Sequence, residues 1–470
     1  MIQNFYALDL KVKPLYTYLK VNLFLMTLPK VIGTNDSITL ITGKKTRVVL
    51  LNNAATTPPF EKTLKELSNF LQTYGALHRG AGPHANITFL KVQDALSSIR
   101  KFLNLPDSHA LLFTQNTSAA INLFARMLRL KKSDVVITSS IEHTSNNLAW
   151  HYNTEAQIVE VHAFEDGSID FDDLEKKATK HGKNLKLITM TGASNQTGYI
   201  PDIQKLSKIA HKHKALLFID AAQLAPHRKM DMKQDGVDAL AFSAHKVYAP
   251  FGIGVLALPK SLLDNIPADP GGGSIDMISE KDILWAPPKE RHQTGTWNVT
   301  GIISLAASCK VLMDASWKEI EKHELELVKY MAERLPKVPN IAMYVPAEKY
   351  LSENRIGTFP FNIAGIHHAQ LASILEHEYG IETRAGTICN HRLVRRWHKI
   401  SDTEQKKIEK KIANGDRLAS YGIVRASFAI HNTKKDIDLL LSALTDIAKN
   451  GPKLKYKAVT HEEIFIPMKK

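Results

Sequence analysis

Apolar and polar positions along the chain fall into two textures. Residues 185–190, 215–219, 237–242 and 254–258 are short, nearly all-apolar runs, and 134–138 is a short β-branched one. Between them, 117–130 and 202–213 carry apolar residues at helical spacing. Short buried strands separated by helices predict a mainly parallel α/β sheet. Upstream, residues 37–40, a turn at Thr42, Gly43 and Lys44, and residues 47–51 predict a hairpin. From about Ser316 the pattern changes. A mixed polar-apolar helix over 317–334 leads to Pro336 and Pro339, and strands near 341–345 and 424–428 point to a smaller α+β unit. The expected organisation is an N-terminal arm (1–47) packing with the small domain, a large α/β domain (48–315), a small domain (316–450) and a basic tail (451–470).

Composition narrows the class. With 470 residues, 44% hydrophobic and 23% charged, the chain has ordinary globular usage and enough length for a large core. Lys and Arg number 61 against 47 Asp and Glu, a formal charge of +14, but the lysines are spread widely, as over 176–186 and 406–411. Those stretches read as solvated helix faces. No nucleic-acid-binding motif accompanies them, so no nucleic-acid partner is expected, although a basic surface suits an acidic protein. No apolar run reaches the ~18–20 residues that span a bilayer, and none is expected to. The first 30 residues hold four lysines and one acid without arginine, a weak match to a mitochondrial presequence, and Met26 offers an alternative start. Two cysteines, Cys309 and Cys389, exclude a disulfide scaffold and fit a reduced, cytoplasmic enzyme.

Two strands end in polar clusters. One run finishes Phe218, Ile219, Asp220, Ala221, Ala222, Gln223, and another Ala241, Phe242, Ser243, Ala244, His245, Lys246. Open α/β sheets place ligand contacts at the carboxyl ends of their strands. Taken singly, Asp220 also suits a helix N-cap and Lys246 a surface turn. Together they suit an aldehyde cofactor: a lysine can hold it as a Schiff base, while an acid keeps a pyridine nitrogen protonated. Asn116, Thr117, Ser118, Ala119 and Ala120 open a helix after a strand at 111–114, a ready phosphate site that Ser243 and His245 would complete. The combination reads as pyridoxal 5'-phosphate.

The ordered motifs LNNAATT (51–57), HRG (78–80), FTQNTSAAINL (113–123) and IEHTSN (141–146) resemble those of class V aminotransferases of fold type I. So do SNQTG (194–198), IDAAQLAPH (219–227), FSAHKVYAPFGIGV (242–255), GGGSIDMI (271–278), TGTWNVTG (294–301) and RASFAIHNT (425–433). Within that family the match is nearest to the cysteine desulfurase and selenocysteine lyase group, and it extends over about residues 51–448. The resemblance implies a large, mainly parallel seven-stranded sheet domain with a smaller α+β C-terminal domain, and a homodimer. It implies that Lys246 is the Schiff-base lysine, that Asp220 faces the pyridinium nitrogen and Gln223 the phenolic oxygen, and that His143 stacks on the ring. Thr117, Ser118, Ser243 and His245 would hold the phosphate, with Thr296 arriving from the other subunit. Asn195, Arg384 and Arg425 would lie near the substrate carboxylate.

Cys389 follows Arg384 by five positions, as the reactive cysteine does in the desulfurases it resembles. That implies L-cysteine as substrate, L-alanine as product, an enzyme persulfide on Cys389 and a sulfur-acceptor protein as partner. Arg384, His391, Arg392, Arg395 and Arg396 offer positive charge that would favour its thiolate. The continuation Asn390, His391, Arg392 departs from the group's small-apolar-Pro pattern, and the step from Cys389 to Arg425 is longer than usual. That segment keeps a second reading open: an aminotransferase, epimerase or C–S lyase acting on another amino acid or amine without persulfide chemistry. Cys309, inside the apolar run 302–313, reads as core. Gly252, Ile253 and Gly254 lack the third glycine and downstream acid of a dinucleotide site and read as the start of a strand. No metal site is expected, because no second histidine or cysteine pair stands at ligand spacing.

Overall fold

The computed structural model describes residues 28–468, apart from Arg79, Phe251 and the side chain of Lys289. The first 27 residues of the expected arm therefore lie outside the described part, as do Lys469 and Lys470.

The core is a seven-stranded sheet built from β1 (His109–Thr114), β2 (Val135–Ser139), β3 (Gln157–Val161), β4 (Leu185–Thr191), β5 (Leu216–Asp220), β6 (Ala239–Ser243) and β7 (Gly254–Pro259). Its order is β1-β7-β6-β5-β4-β2-β3, and only β7 runs antiparallel to its neighbours. Helices cover both faces, so β2, β4, β5 and β6 are buried at nearly every position rather than alternating between buried and exposed. Edge strand β3 carries the polar Gln157 and Glu160 and was not anticipated, because its run is short and half exposed. Gly254 opens β7 where the chain passes the start of the helix Thr117–Leu128. A Cβ there would stand 2.4 Å from the backbone of Asn116, so only glycine permits that approach.

The second unit is a four-stranded antiparallel sheet of β8 (Ile341–Met343), β9 (Thr358–Ile363), β10 (Arg384–Gly386) and β11 (Ile423–Ser427), ordered β8-β9-β11-β10. The helix Trp317–Ala332 joins the two cores: Ile320 near its start packs on the large one, Leu327, Val328 and Met331 on the small one. The anticipated hairpin pairs Ser37–Thr39 with Lys45–Arg47. Its second strand ends earlier than expected, because Val49 and Leu50 pair in parallel with Ile381 and Glu382. Val49 and Leu51 thus sit in the small core, not in the large domain to which the sequence pattern assigned them.

The C-terminal stretch, expected as a basic tail, is a β-hairpin of Tyr456–Val459 with Ile464–Pro467. Leading into and along its first strand, Leu454, Tyr456 and Ala458 alternate with Lys453, Lys455 and Lys457, a period-two pattern hidden by the charge. Among the described residues no single helix is long and apolar enough to cross a membrane.

Candidate active site

The carboxyl ends of the sheet strands and the small domain enclose a cleft of about 340 Å³. From the large domain it is lined by Thr117, Ser118, His143, Asn195, Asp220, Gln223, Ser243, His245 and Lys246, and from the small domain by Arg384, Cys389 and Arg425. Of the residues expected to hold cofactor or substrate or to carry the reaction, all line this cleft except Thr296. That residue lines a separate depression beside Gly252 and Trp297.

Asp220 ends β5 and is almost wholly buried. One carboxylate oxygen accepts from the Ala222 amide at 3.0 Å, and burial raises the carboxyl pKa, partly opposed by Lys246. Lys246 follows β6 in a short 3-10 turn, and burial lowers its amine to about 8. Gln223 donates its amide to the Ala54 carbonyl at 2.6 Å, leaving its buried Oε1 without a partner at the cleft wall. His143 caps the helix Thr144–Asn153, its Nδ1 accepting from the Ser145 amide at 3.1 Å. Burial, Lys246 and Arg425 push that imidazole down to about 4, so it is neutral with its proton on Nε2.

The hydroxyl wall is closely knit. Ser243 Oγ accepts from the Thr117 amide at 2.7 Å and bonds Thr117 Oγ1 at 2.6 Å, holding the helix Thr117–Leu128 against the end of β6. Asn116 caps that helix by accepting from the Ala119 amide. Ser145 bonds both Ser118 Oγ (2.6 Å) and His143 Nδ1 (3.0 Å). Sequence reasoning quoted Ser145 within IEHTSN but gave it no role. His245, lowered to about 4 mainly by burial, completes the wall.

On the opposite side Arg384 and Arg425 are cross-strand partners on β10 and β11. The buried Arg425 donates to the Asn195 carbonyl (2.9 Å) and Asn52 Oδ1 (3.2 Å), leaving Nε unpartnered. Burial and Arg384 pull its guanidinium down to about 9. Asn52 was not anticipated as a site residue. Asn195, expected near the substrate, lines the cleft and also donates its amide nitrogen to the Ile388 carbonyl at 3.0 Å.

That bond belongs to a set of pins on the Cys389 loop. Gln196 donates to the Thr387 carbonyl (2.6 Å), Asn390 to that of Ile141 (2.7 Å), and the Thr144 amide to that of Cys389 itself (3.0 Å). Ile388 and Cys389 both adopt left-handed backbone, at φ 49° and 60°. Side chains of this kind avoid that region at a cost of about 1–3 kcal/mol each, so the pins hold the thiol in a strained turn. Cys389 is partly exposed and near enough to act electrostatically on Lys246 and Arg425.

The anticipated ring of positive charge around the thiol needs correction. Arg392 pairs with Glu160, Arg395 with Asp402, and Arg396 donates to the Ala163 carbonyl. Their helix, His391–Trp397, leads away from the cleft and is fastened to the edge of the large domain. Arg384 alone of the four arginines lines the cleft. Cys309 is fully buried and burial drives its thiol pKa up, so it is core.

The family model for class-V aminotransferases matches residues 49–440. A probable cysteine desulfurase of Halalkalibacterium halodurans is 31% identical over 405 residues, covering 84% of this chain and 92% of that protein. One from Staphylococcus epidermidis is 30% identical over 406 residues, covering 85% and 91%. Among solved structures, a cysteine desulfurase from Thermococcus onnurineus aligns with TM-score 0.75 and 27% identity over 86% of this chain and 95% of the other. A cysteine desulfurase from Escherichia coli, in an S-sulfonic acid form, aligns at 0.71 and 28% over 84% and 94%. By sequence and by fold, this chain belongs to the class-V aminotransferase family.

Proposed function

We propose that the protein is a pyridoxal-phosphate-dependent cysteine desulfurase that converts L-cysteine to L-alanine and takes the sulfur onto Cys389. The observation that carries this reading is that Cys389, Lys246 and Arg425 meet in one cleft, contributed by two separate units.

The donor set suits the cofactor. A buried carboxylate, an orphaned amide oxygen on Gln223, a helix start with the Thr117 and Ser118 hydroxyls beside that of Ser243, and a buried lysine supply a partner for each polar part of pyridoxal phosphate. When bound, that group supplies an aldehyde and a protonated ring able to accept electrons released at the substrate Cα. Lys246 would hold the aldehyde, and its amine is placed to move the proton at the substrate Cα. Its lowered pKa makes the neutral amine available near pH 8. His143, neutral and fixed by Ser145, would lie against the cofactor ring. Arg425 and Arg384 attract the substrate carboxylate. The Cys389 thiolate attacks the substrate sulfur: the Cβ–S bond breaks, an S–S bond forms, and Cβ gains a proton. Cysteine plus thiol thereby give alanine plus persulfide without an added oxidant.

A homodimer in which Thr296 reaches the partner's phosphate, a cytoplasmic setting and a separate sulfur-acceptor protein complete the reading. Its test is alanine and persulfide production from L-cysteine by the holoenzyme and by Cys389→Ala. The variant is expected to keep the cofactor's absorbance and lose sulfur transfer to a thiol acceptor. Unimpaired transfer would remove Cys389 from the mechanism. A parent enzyme silent with cysteine, but spectrally responsive to another amino acid, would replace desulfuration with a different reaction of the family.

A further inference from the structure

The C-terminal hairpin lies beyond residue 440, where the family match ends, yet it reaches back to the loop that bears Cys389. Its base is fixed by Glu378, a buried carboxylate that accepts from the amides of Lys453 (3.0 Å) and Leu454 (3.1 Å) and from the Tyr456 hydroxyl (3.0 Å). Phe465 packs on the His367 ring, with centroids 5.6 Å apart. At the tip, the Thr460 carbonyl accepts from the Arg417 amide at 2.9 Å, tying the hairpin to the long segment after Cys389.

The tip also presents Glu463 in left-handed backbone, φ 57°. Its carboxylate meets His368 Nε2 at 3.0 Å, and His368 is 4% exposed. The same oxygen stands 3.7 Å from where a Cβ on Gly386 would lie, three residues before Cys389. The His368 ring is pressed against Gly422, whose missing Cβ would also fall 2.8 Å from the Gly386 Cα. Glu463 further acts electrostatically on His391, two residues after Cys389. One carboxylate thus stands beside the loop on both flanks of the thiol, next to Gly386 and acting on His391.

From this we infer that the C-terminal hairpin is a strap, and that Glu463 is a positioning residue which holds the Cys389 loop through His368 and Gly386. Its effect on turnover rests on the proposed role of Cys389; its effect on thiol reactivity rests on the geometry alone. Cys309 is fully buried, so iodoacetamide reads Cys389 selectively in the folded holoenzyme, with Cys389→Ala as the blank. Glu463→Ala is expected to raise the alkylation rate several-fold and to lower kcat for alanine release about tenfold, with KM unchanged, as expected for a displaced reacting group. Glu463→Gln retains an acceptor for His368 and is expected to stay near the parent on both measures. Glu462→Ala, on the exposed side of the turn, serves as the control.

Alkylation of Glu463→Ala at the parent rate overturns the strap. A rise in alkylation equal to that of Glu462→Ala also overturns it, since loosening of the turn would then suffice. Faster alkylation in Glu463→Ala, together with no alanine from the parent, supports the strap and overturns the desulfurase reading instead.

Discussion

The two walls of the cleft are built on different principles. On the large-domain side, Asp220, Ser243 and Lys246 stand at or just past the ends of adjacent parallel strands, so the sheet's hydrogen-bond register sets their spacing. Those strands are buried on both faces, and local opening there requires breaking the main core. On the small-domain side, Arg384 and Arg425 also ride a sheet, but Cys389 does not. It sits in a strained turn held by the adjacent side chains of Asn195 and Gln196, by the Thr144 amide, and by Asn390 of the turn itself reaching out to Ile141. One wall is fixed by its own backbone. The other is fixed by long-range contacts and is the wall on which small changes can move a reacting atom.

The sharpest test of that contrast is removal of the residue on the rigid wall. Lys246→Ala should fold normally, since the strand before it supplies its own packing, and should lose alanine release by at least the 10²–10⁴-fold associated with a proton-transfer group. Measurable turnover by Lys246→Ala near the parent rate would break the assignment.

A smaller effect follows from burial of the same amine. Its pKa in the folded protein is about 8 against 10.5 in an unperturbed lysine, so the neutral, nucleophilic form grows as pH rises through 8. Capture of added pyridoxal phosphate by protein stripped of cofactor should accelerate across that range, followed by absorbance. The same shift means that burial of the charged amine costs stability below pH 8, and that this cost fades between 8 and 10.5. A flat capture rate from pH 7 to 9 would show that the amine is not held down by its surroundings.

The rigid wall was also the legible one. Asp220, Gln223, Ser243, His245 and Lys246 follow apolar runs whose ends mark strand ends, so sequence position and spatial position coincide. The hairpin at 37–47 and the strand β7 were readable for similar reasons, from turn residues and from a glycine before an apolar run. What was not readable depends on contacts between distant residues. Nothing near Cys389 in the chain shows that Arg392, Arg395 and Arg396 turn to Glu160, Asp402 and Ala163, because their charge is visible while their helix direction is not. Asn195 lines the cleft as expected, but that its amide also pins the Ile388 carbonyl is a contact across the chain that sequence position does not show. The strap was hidden by its lysines, which drew attention away from the alternation of Leu454, Tyr456 and Ala458 in its first half. Polar residues that act as pins leave no periodic signal at all.

Asn390 gives the finest probe of the compliant wall. It has two jobs: its Nδ2 donates to the buried Ile141 carbonyl at 2.7 Å, and its Oδ1 accepts from the Leu393 amide at 3.1 Å as the cap of the helix His391–Trp397. Asn390→Ala loses a cap worth about 1 kcal/mol and leaves a buried carbonyl unpaired at about 1–3 kcal/mol. Asn390→Asp keeps the cap acceptor but sets a carboxylate against the Ile141 carbonyl, so it should recover the cap and not the pin. Stability by urea unfolding should therefore fall most for the alanine variant if capping dominates. Iodoacetamide reactivity of Cys389 should rise in both variants if the pin to Ile141 is what holds the thiol. Comparing the two readouts separates helix stability from thiol placement. Equal reactivity in parent and Asn390→Asp would mean that Asn195, Gln196 and the Thr144 amide hold the turn without Asn390, and that the compliant wall is more redundant than its single strained turn suggests.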